Sequence, residues 1–199
     1  AQWFETELPD LVRTMDAGAF LEEELWGQWS GLINRTNRGI ESYGRGIHIA
    51  LGTTAVGVLI YGEDYYTLNV GDSRAYLLAD NIYQLTKDQS YVQREMDAGR
   101  ITYEESLTHP QRSVLLQCIG AGQAVHPVFS HGKTAAGHVF MLCCDGFRRV
   151  IDPREFYQAF HPPQMTGEEV MKQRLAGMTR LNIERREDDN ISALLVKLI

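Results

Sequence analysis

The sequence predicts an α+β layered fold, in which helices stand apart from an antiparallel sheet system. Three observations predict it. The opening third has helical periodicity, the stretch after it alternates short apolar runs with tight polar turns, and long helical periods return only beyond Pro153.

Taken in order, Trp3, Leu8, Leu11, Val12 and Met15 recur at three- and four-residue steps, and Leu25, Trp26, Trp29, Leu32 and Ile33 do so again. These are two amphipathic helices whose tryptophans lie on the core-facing stripe. Residues 55–61 then form an apolar strand, Gly62-Glu63-Asp64 a turn, and 65–70 a second strand. Gly71-Asp72 turns the chain into 75–78, and Asp80-Asn81 turns it into 83–85. Short strands joined by such turns predict an antiparallel meander.

Residues 88–117 break the pattern. Tyr91, Val92 and Met96 suggest a short helix, Thr102-Tyr103-Glu104-Glu105 a helix start, and His109-Pro110 a stop. A helical insertion between strands is expected to form the rim of a site. Strands resume at 124–129 and 138–144. A short helix follows at 153–160 with proline near its start. Val170, Met171, Leu175, Met178 and Leu181 mark another amphipathic helix, and 191–198 is the last strand. With no repeat or linker, 1–199 reads as a single domain.

Bulk properties narrow the function. The chain is 44% hydrophobic and 23% charged, enough for an ordinary core. Its net charge of −7, without a basic run, argues against a nucleic-acid partner. No apolar run approaches the length of a membrane span, and there is no signal-peptide pattern. The three cysteines, Cys118, Cys143 and Cys144, form no CxxC pair, which argues against a disulfide framework or zinc ribbon and for a reducing, cytoplasmic setting. Cys143 and Cys144 are adjacent on a strand and therefore point to opposite faces.

The chemistry rests on Asp72, Asp145 and Asp189, each beside a glycine or asparagine at the end of a strand-like run. Singly, such dipeptides are ordinary turns. Together they are carboxylates that can converge, without histidine or thiolate partners, and such donors suit Mg²⁺ or Mn²⁺. That points to metal-assisted hydrolysis.

Gly52-Thr53-Thr54-Ala55, NVGDSRAYLL (69–78), LTKDQS (85–90), GRITYEES (99–106), HPQRSVLLQCIG (109–120), MLCCDGF (141–147) and DDNISALLVKL (188–198) follow one another in this order. The series resembles the metal-dependent serine/threonine protein phosphatases of type 2C, in their bacterial branch. The resemblance implies an antiparallel β-sandwich flanked by α-helices, with metals at one end. It implies that Asp145 binds the second metal and faces the third, that Asp189 binds the second, and that Asp72 holds the third. Asn190 is expected to orient Asp189. Two to three Mn²⁺ or Mg²⁺ ions would activate a water that attacks the phosphorus of phosphoserine or phosphothreonine, with no protein nucleophile. Implied partners are phosphoprotein substrates of a serine/threonine kinase. Residues 88–117 would be the flap, with Tyr91, Arg100 and His109 controlling substrate access.

In this family two strands bearing an acidic motif, a phosphate-binding arginine and an Asp-Gly-Met-Gly-Gly or Asp-Gly-His-Gly motif precede the matched part, and none lies in 1–199. The resemblance therefore implies an N-terminally incomplete domain lacking the first strands. The start at Ala1 rather than Met favours a longer parent chain. An inactive regulatory module on the same fold is the alternative. Cys144 stands where a serine is common, Gln89 where a histidine is common, and Phe147-Arg148-Arg149 replaces the usual continuation. Of Arg148 and Arg149, at least one reads as a solvated turn residue, with attraction of a phosphorylated substrate as the other reading.

Overall fold

The computed structural model describes residues 5–122 and 124–199, so Trp3 lies outside the described residues. Its chain forms two compact units. One comprises the described part of Ala1–Thr53 with Cys118–Pro127, and the other Thr54–Gln117 with Val128–Ile199.

The first unit holds helices α1 (Leu8–Asp16) and α2 (Glu22–Gly46). Pro9 opens α1, where a missing N–H costs nothing. Glu22, Glu23 and Glu24 crowd the first turn of α2, where the helix dipole favours negative charge. Leu25, Trp29 and Ile33 are buried, as their spacing predicts. The helix outruns that apolar stripe by three turns because its continuation is tied down by polar contacts. Asn37 is buried, and its Oδ1 accepts the Gly120 N–H at 2.6 Å. Thr53 and Ile119 close a two-bond bridge beside it.

The second unit carries the described strands in two antiparallel sheets. β1 (Ala55–Tyr61), β2 (Asp64–Val70) and β5 (Val128–Lys133) form one, in the order β1-β2-β5. β3 (Arg74–Leu78), β4 (Ile82–Gln84), β6 (Val139–Cys143) and β7 (Ala193–Lys197) form the other, in the order β4-β3-β6-β7. The expected meander is therefore two hairpins in separate sheets. Gly71 makes the crossing. Its φ is +97°, and an added Cβ would lie 2.4 Å from Thr54 Cγ2, so the turn admits only glycine. The strand expected at 124–129 begins instead at Val128. Pro127 has no N–H for a ladder, and pairing runs from Val128 opposite Asn69 to Lys133 opposite Asp64.

Alternation along β3, β6 and β7 builds two layers. Tyr76, Leu78, Val139, Met141, Cys143 and Leu195 share one face and pack against Phe147, Phe156, Phe160 and Met178. Those side chains come from α5 (Asp145–Arg148), α6 (Pro153–Ala159), the residue that ends α6, and α7 (Glu168–Glu184). Phe156 stacks on Phe147 with centroids 5.5 Å apart, and each buried phenylalanine contributes about 1.5–3 kcal/mol. On the opposite face Phe140 meets Tyr65 of β2 edge-on at 5.5 Å, which joins the two sheets. The unit is an antiparallel β-sandwich with helices on its outer face. The flap contributes α3 (Tyr91–Asp97) and α4 (Tyr103–Thr108). Thr102 and Glu105 form a capping box at the predicted start of α4.

Candidate active site

Sheet register brings the three aspartates to one end of the sandwich. Arg74 at the start of β3 pairs with Cys143 at the end of β6, which pairs with Ala193 at the start of β7. Asp72, Asp145 and Asp189 lie just beyond these three neighbours. Gly146 lets the last two approach: a Cβ there would sit 2.4 Å from the Asn190 carbonyl and 3.1 Å from Asp189 Cβ. The Asp-Gly pair is thus a packing requirement as well as a turn.

Asp145 and Asp189 are held alike. Asp145 Oδ1 accepts the Gly146 N–H at 2.9 Å, and Asp189 Oδ1 accepts the Asn190 N–H at 2.7 Å. The bond to Asp189 comes from the Asn190 backbone and does not depend on the asparagine side chain. Each Oδ2 is left for another donor, and both take the same one. Arg149 Nη2 donates to Asp145 Oδ2 and, at 3.2 Å, to Asp189 Oδ2. One helical turn sets Arg149 over Asp145, and the Arg149 N–H also reaches the Asp145 carbonyl at 2.8 Å. Arg149 Nη1 donates to Glu187 Oε1 at 2.8 Å. Burial works against the charge on Arg149, but Asp145, Glu187 and Asp189 more than offset it and hold the guanidinium protonated.

Asp72 belongs to a different group. Gly71, ahead of it, is pinned by Gln89: the Gly71 N–H donates to Gln89 Oε1 at 2.8 Å and the Gln89 N–H to the Gly71 carbonyl at 2.9 Å. Arg148 Nη2 donates to the Asp72 carbonyl and to Asp88 Oδ2, each at 3.0 Å, and lies 3.8 Å from Asp72 Oδ2. Arg74 forks onto Asp88 through Nε and Nη2 at 2.7 and 2.8 Å. Burial raises the Asp72 pKa; Arg148 opposes the rise, and Asp145 and Asp88 add to it. Asp72 is therefore a desolvated carboxylate that gains from any added cation.

Neither Arg148 nor Arg149 is the solvated turn residue expected of at least one of them, since each bridges two or more acids. Asp88, inside LTKDQS, is a functional-site residue that its own segment does not mark out. Apart from Arg149 with Asp145 one helical turn back, these bonds join residues 14 to 76 positions apart, which no local pattern announces.

A cleft of about 80 Å³ opens over this end of the sandwich. Asp72, Asp88 and Asp145 line it, with Arg74, Arg112, Arg148 and Arg149. The flap supplies Val92, Met96, Tyr103, Ser106 and Leu107 to its wall. The three access residues expected there are not part of the lining. Tyr91 and His109 stack on each other at 5.5 Å, and Arg100 is paired with Glu95, so they brace the flap from within. Arg112 is exposed and forms no ion pair among the described residues. Cys143 is buried in the core, which pushes its thiol up to about 12, so it is no nucleophile. The Cys144 thiol points elsewhere and meets the Asn190 carbonyl at 3.1 Å.

The donor set fits a single hard cation at Asp145 and Asp189: carboxylate oxygens only, two of them turned toward one cationic nitrogen. Among the described residues no group of three His, Cys, Asp or Glu side chains meets where it could hold a metal ion, so these residues alone do not compose a two-ion centre.

Residues 34–109 match the family model described as Protein phosphatase 2C. The serine/threonine protein phosphatase PstP of Mycobacterium tuberculosis is 36% identical over 116 residues, which is 58% of this chain and 22% of PstP. The crystal structure of the Mycobacterium tuberculosis phosphatase PstP/Ppp aligns with a TM-score of 0.71 at 30% identity, over 81% of this chain and 67% of that one. The chain belongs to the protein phosphatase 2C family. A PstP catalytic domain solved in complex with two manganese ions aligns with a TM-score of 0.69 at 25% identity, covering 82% of this chain and 66% of that domain. This family member spans under a quarter of the length of the curated relative it matches. Among the described residues no helix is long and apolar enough to cross a membrane.

Proposed function

We propose that this chain forms the body of a metal-dependent protein serine/threonine phosphatase, with Mn²⁺ or Mg²⁺ held by Asp145 and Asp189 and a further ion near Asp72. The observation that carries the reading is the matched posture of Asp145 and Asp189, each with one oxygen tied to the next backbone N–H and the other turned to a shared cationic partner, Arg149. The two manganese ions of the PstP catalytic domain support the choice of metal. When bound, such ions neutralise phosphoryl charge and acidify a water.

The chain's own residues do the rest. Arg112 offers an unpaired guanidinium to a phosphoryl oxygen entering the cleft. Val92, Met96 and Leu107 line the flap side and keep the entry apolar. Arg74 and Arg148 hold Asp88 and the Asp72 turn in place. The substrates are phosphoserine and phosphothreonine proteins made by a kinase of that specificity.

The test is release of phosphate from a phosphothreonine peptide by the full-length protein with Mn²⁺, with and without EDTA. Asp145→Ala should lower turnover by at least about 100-fold, since even outer-shell groups at metal sites cost 10–100-fold. Asp72→Ala should lower it less and leave the melting temperature intact. Wild-type rates in both mutants would remove these aspartates from the metal site. The second reading, a phosphopeptide-binding module without turnover, is favoured by Arg149 lying between the two carboxylates. It predicts binding of the same peptide and no phosphate release at any Mn²⁺ concentration.

A further inference from the structure

At the Asp145–Asp189 pair the cationic place is already taken. Arg149 Nη2 serves the free oxygen of both carboxylates, while Nη1 is held by Glu187, whose side chain is 2% exposed. Glu187 Oε1 also accepts the Asp189 N–H at 3.1 Å, so one buried carboxylate anchors both the guanidinium and the loop that carries Asp189. The guanidinium therefore sits in a site built for it, with bonds on two of its nitrogens. A divalent ion would need the same two Oδ2 atoms at a shorter distance than a hydrogen bond allows. It would also be repelled by the guanidinium held beside it.

We propose that Arg149 is a built-in cation that closes the Asp145–Asp189 pair and must swing away before a metal ion can bind there. This rests on the phosphatase reading above, because it takes that pair as the metal site. Metal affinity is then reduced by the fraction of molecules in which Arg149 covers the pair, and any influence that draws Arg149 off the pair loads the site. An incoming phosphoryl group is one such influence, because it offers a guanidinium the same forked oxygen geometry as the carboxylates. Metal and phosphorylated substrate should accordingly bind with positive coupling through this one side chain.

The experiment measures Mn²⁺ binding to the full-length protein by the electron paramagnetic resonance signal of the free ion, with no turnover involved. Wild type, Arg149→Ala, Arg149→Lys and the double variant Arg149→Ala/Asp189→Asn are compared. Arg149→Ala should bind Mn²⁺ about tenfold or more tightly than wild type, within the usual range of coupling between sites. Arg149→Lys keeps the charge but cannot span the two carboxylates and Glu187, so it should fall between the two. The gain should vanish in the double variant. Equal, measurable affinities in wild type, Arg149→Ala and Arg149→Lys would overturn the displacement and leave the metal site standing. Tightening in Arg149→Ala with wild-type affinity in Arg149→Lys would reduce Arg149 to a distant field and overturn it too. No binding by any variant would remove the metal site itself, and the displacement with it. Should Arg149→Ala fail to give a folded melting transition, Arg149→Lys against wild type decides alone.

Discussion

Two acidic groups lie side by side at the end of this sandwich, and they are balanced differently. Asp72 and Asp88 are met by Arg74 and Arg148, two acids to two bases. Asp145, Asp189 and Glu187 share Arg149, three acids to one base. The first group is closed in charge and largely shielded, with Asp88 8% and Arg148 15% exposed. The second carries excess negative charge, and Asp189 is 44% exposed. The difference separates a charge-balanced group from one with acid to spare. In the balanced group only Asp72, 3.8 Å from its arginine, still gains from another cation, whereas the under-compensated group reached by solvent gains at both Asp145 and Asp189.

The sharpest way to break this contrast is Asp88→Ala. It strips both Arg74 and Arg148 of their common partner in a buried setting, and breaking a buried pair from one side costs about 3–5 kcal/mol. Chemical denaturation should register that loss in Asp88→Ala and a much smaller one in Asp189→Ala, whose side chain reaches water. Comparable losses at the two positions would erase the distinction between the balanced, buried group and the under-compensated one.

Gly146→Ala probes the second group by geometry. The new Cβ would press on the Asn190 carbonyl, a backbone atom that cannot rotate aside, so the 189–190 loop must move. Overpacking of this kind costs about 1–3 kcal/mol. The larger consequence should be functional, because Asp145 and Asp189 are driven apart and no longer share one cation. Mn²⁺ binding should weaken while the fold survives. A Gly146→Ala protein that retained full Mn²⁺ affinity would show that the pair does not act together.

How far the sequence announced all this depends on the range of each interaction. The strand pattern, the flap with its Thr102 capping box, and the three aspartates were legible because each is written in neighbouring residues. Two features were not. The crossing at Gly71 sends successive hairpins to different sheets, and a local alternation of apolar and turn residues is identical for one meander or two hairpins. The other is the pair Arg148 and Arg149. Apart from Asp145, one helical turn before Arg149, nothing within a few positions pairs with them, so both look like turn residues. Their acids come from Asp72, Asp88, Glu187 and Asp189, which only the fold brings near. Gly146 is intermediate: Asp-Gly was visible as a turn, but its need to clear Asn190 was not.

The smallest effect is expected at a third arginine, one that faces water. Arg185 forks onto Glu155 at 2.6 and 2.7 Å and donates to the Val150 carbonyl, fastening the end of α7 to the start of α6. Arg185 lowers the Glu155 pKa from 4.5 to about 2, helped by the Asp152 backbone N–H. A carboxylate whose folded pKa is lowered adds stability above its unfolded pKa and loses it as pH falls through the folded one. The contribution should thus be full above about pH 4.5 and fade toward pH 2, and because the pair is solvated it should also shrink in high salt. Melting curves of wild type and Arg185→Ala should differ slightly at pH 6 and converge at pH 2. A gap that stayed the same down to pH 2 would assign the stabilisation to the Val150 contact, which does not titrate, rather than to the ion pair. A gap as large as that of Asp88→Ala would mean that burial does not set the strength of these arginine clusters, and that balance of charge alone separates the group around Asp88 from the group around Arg149.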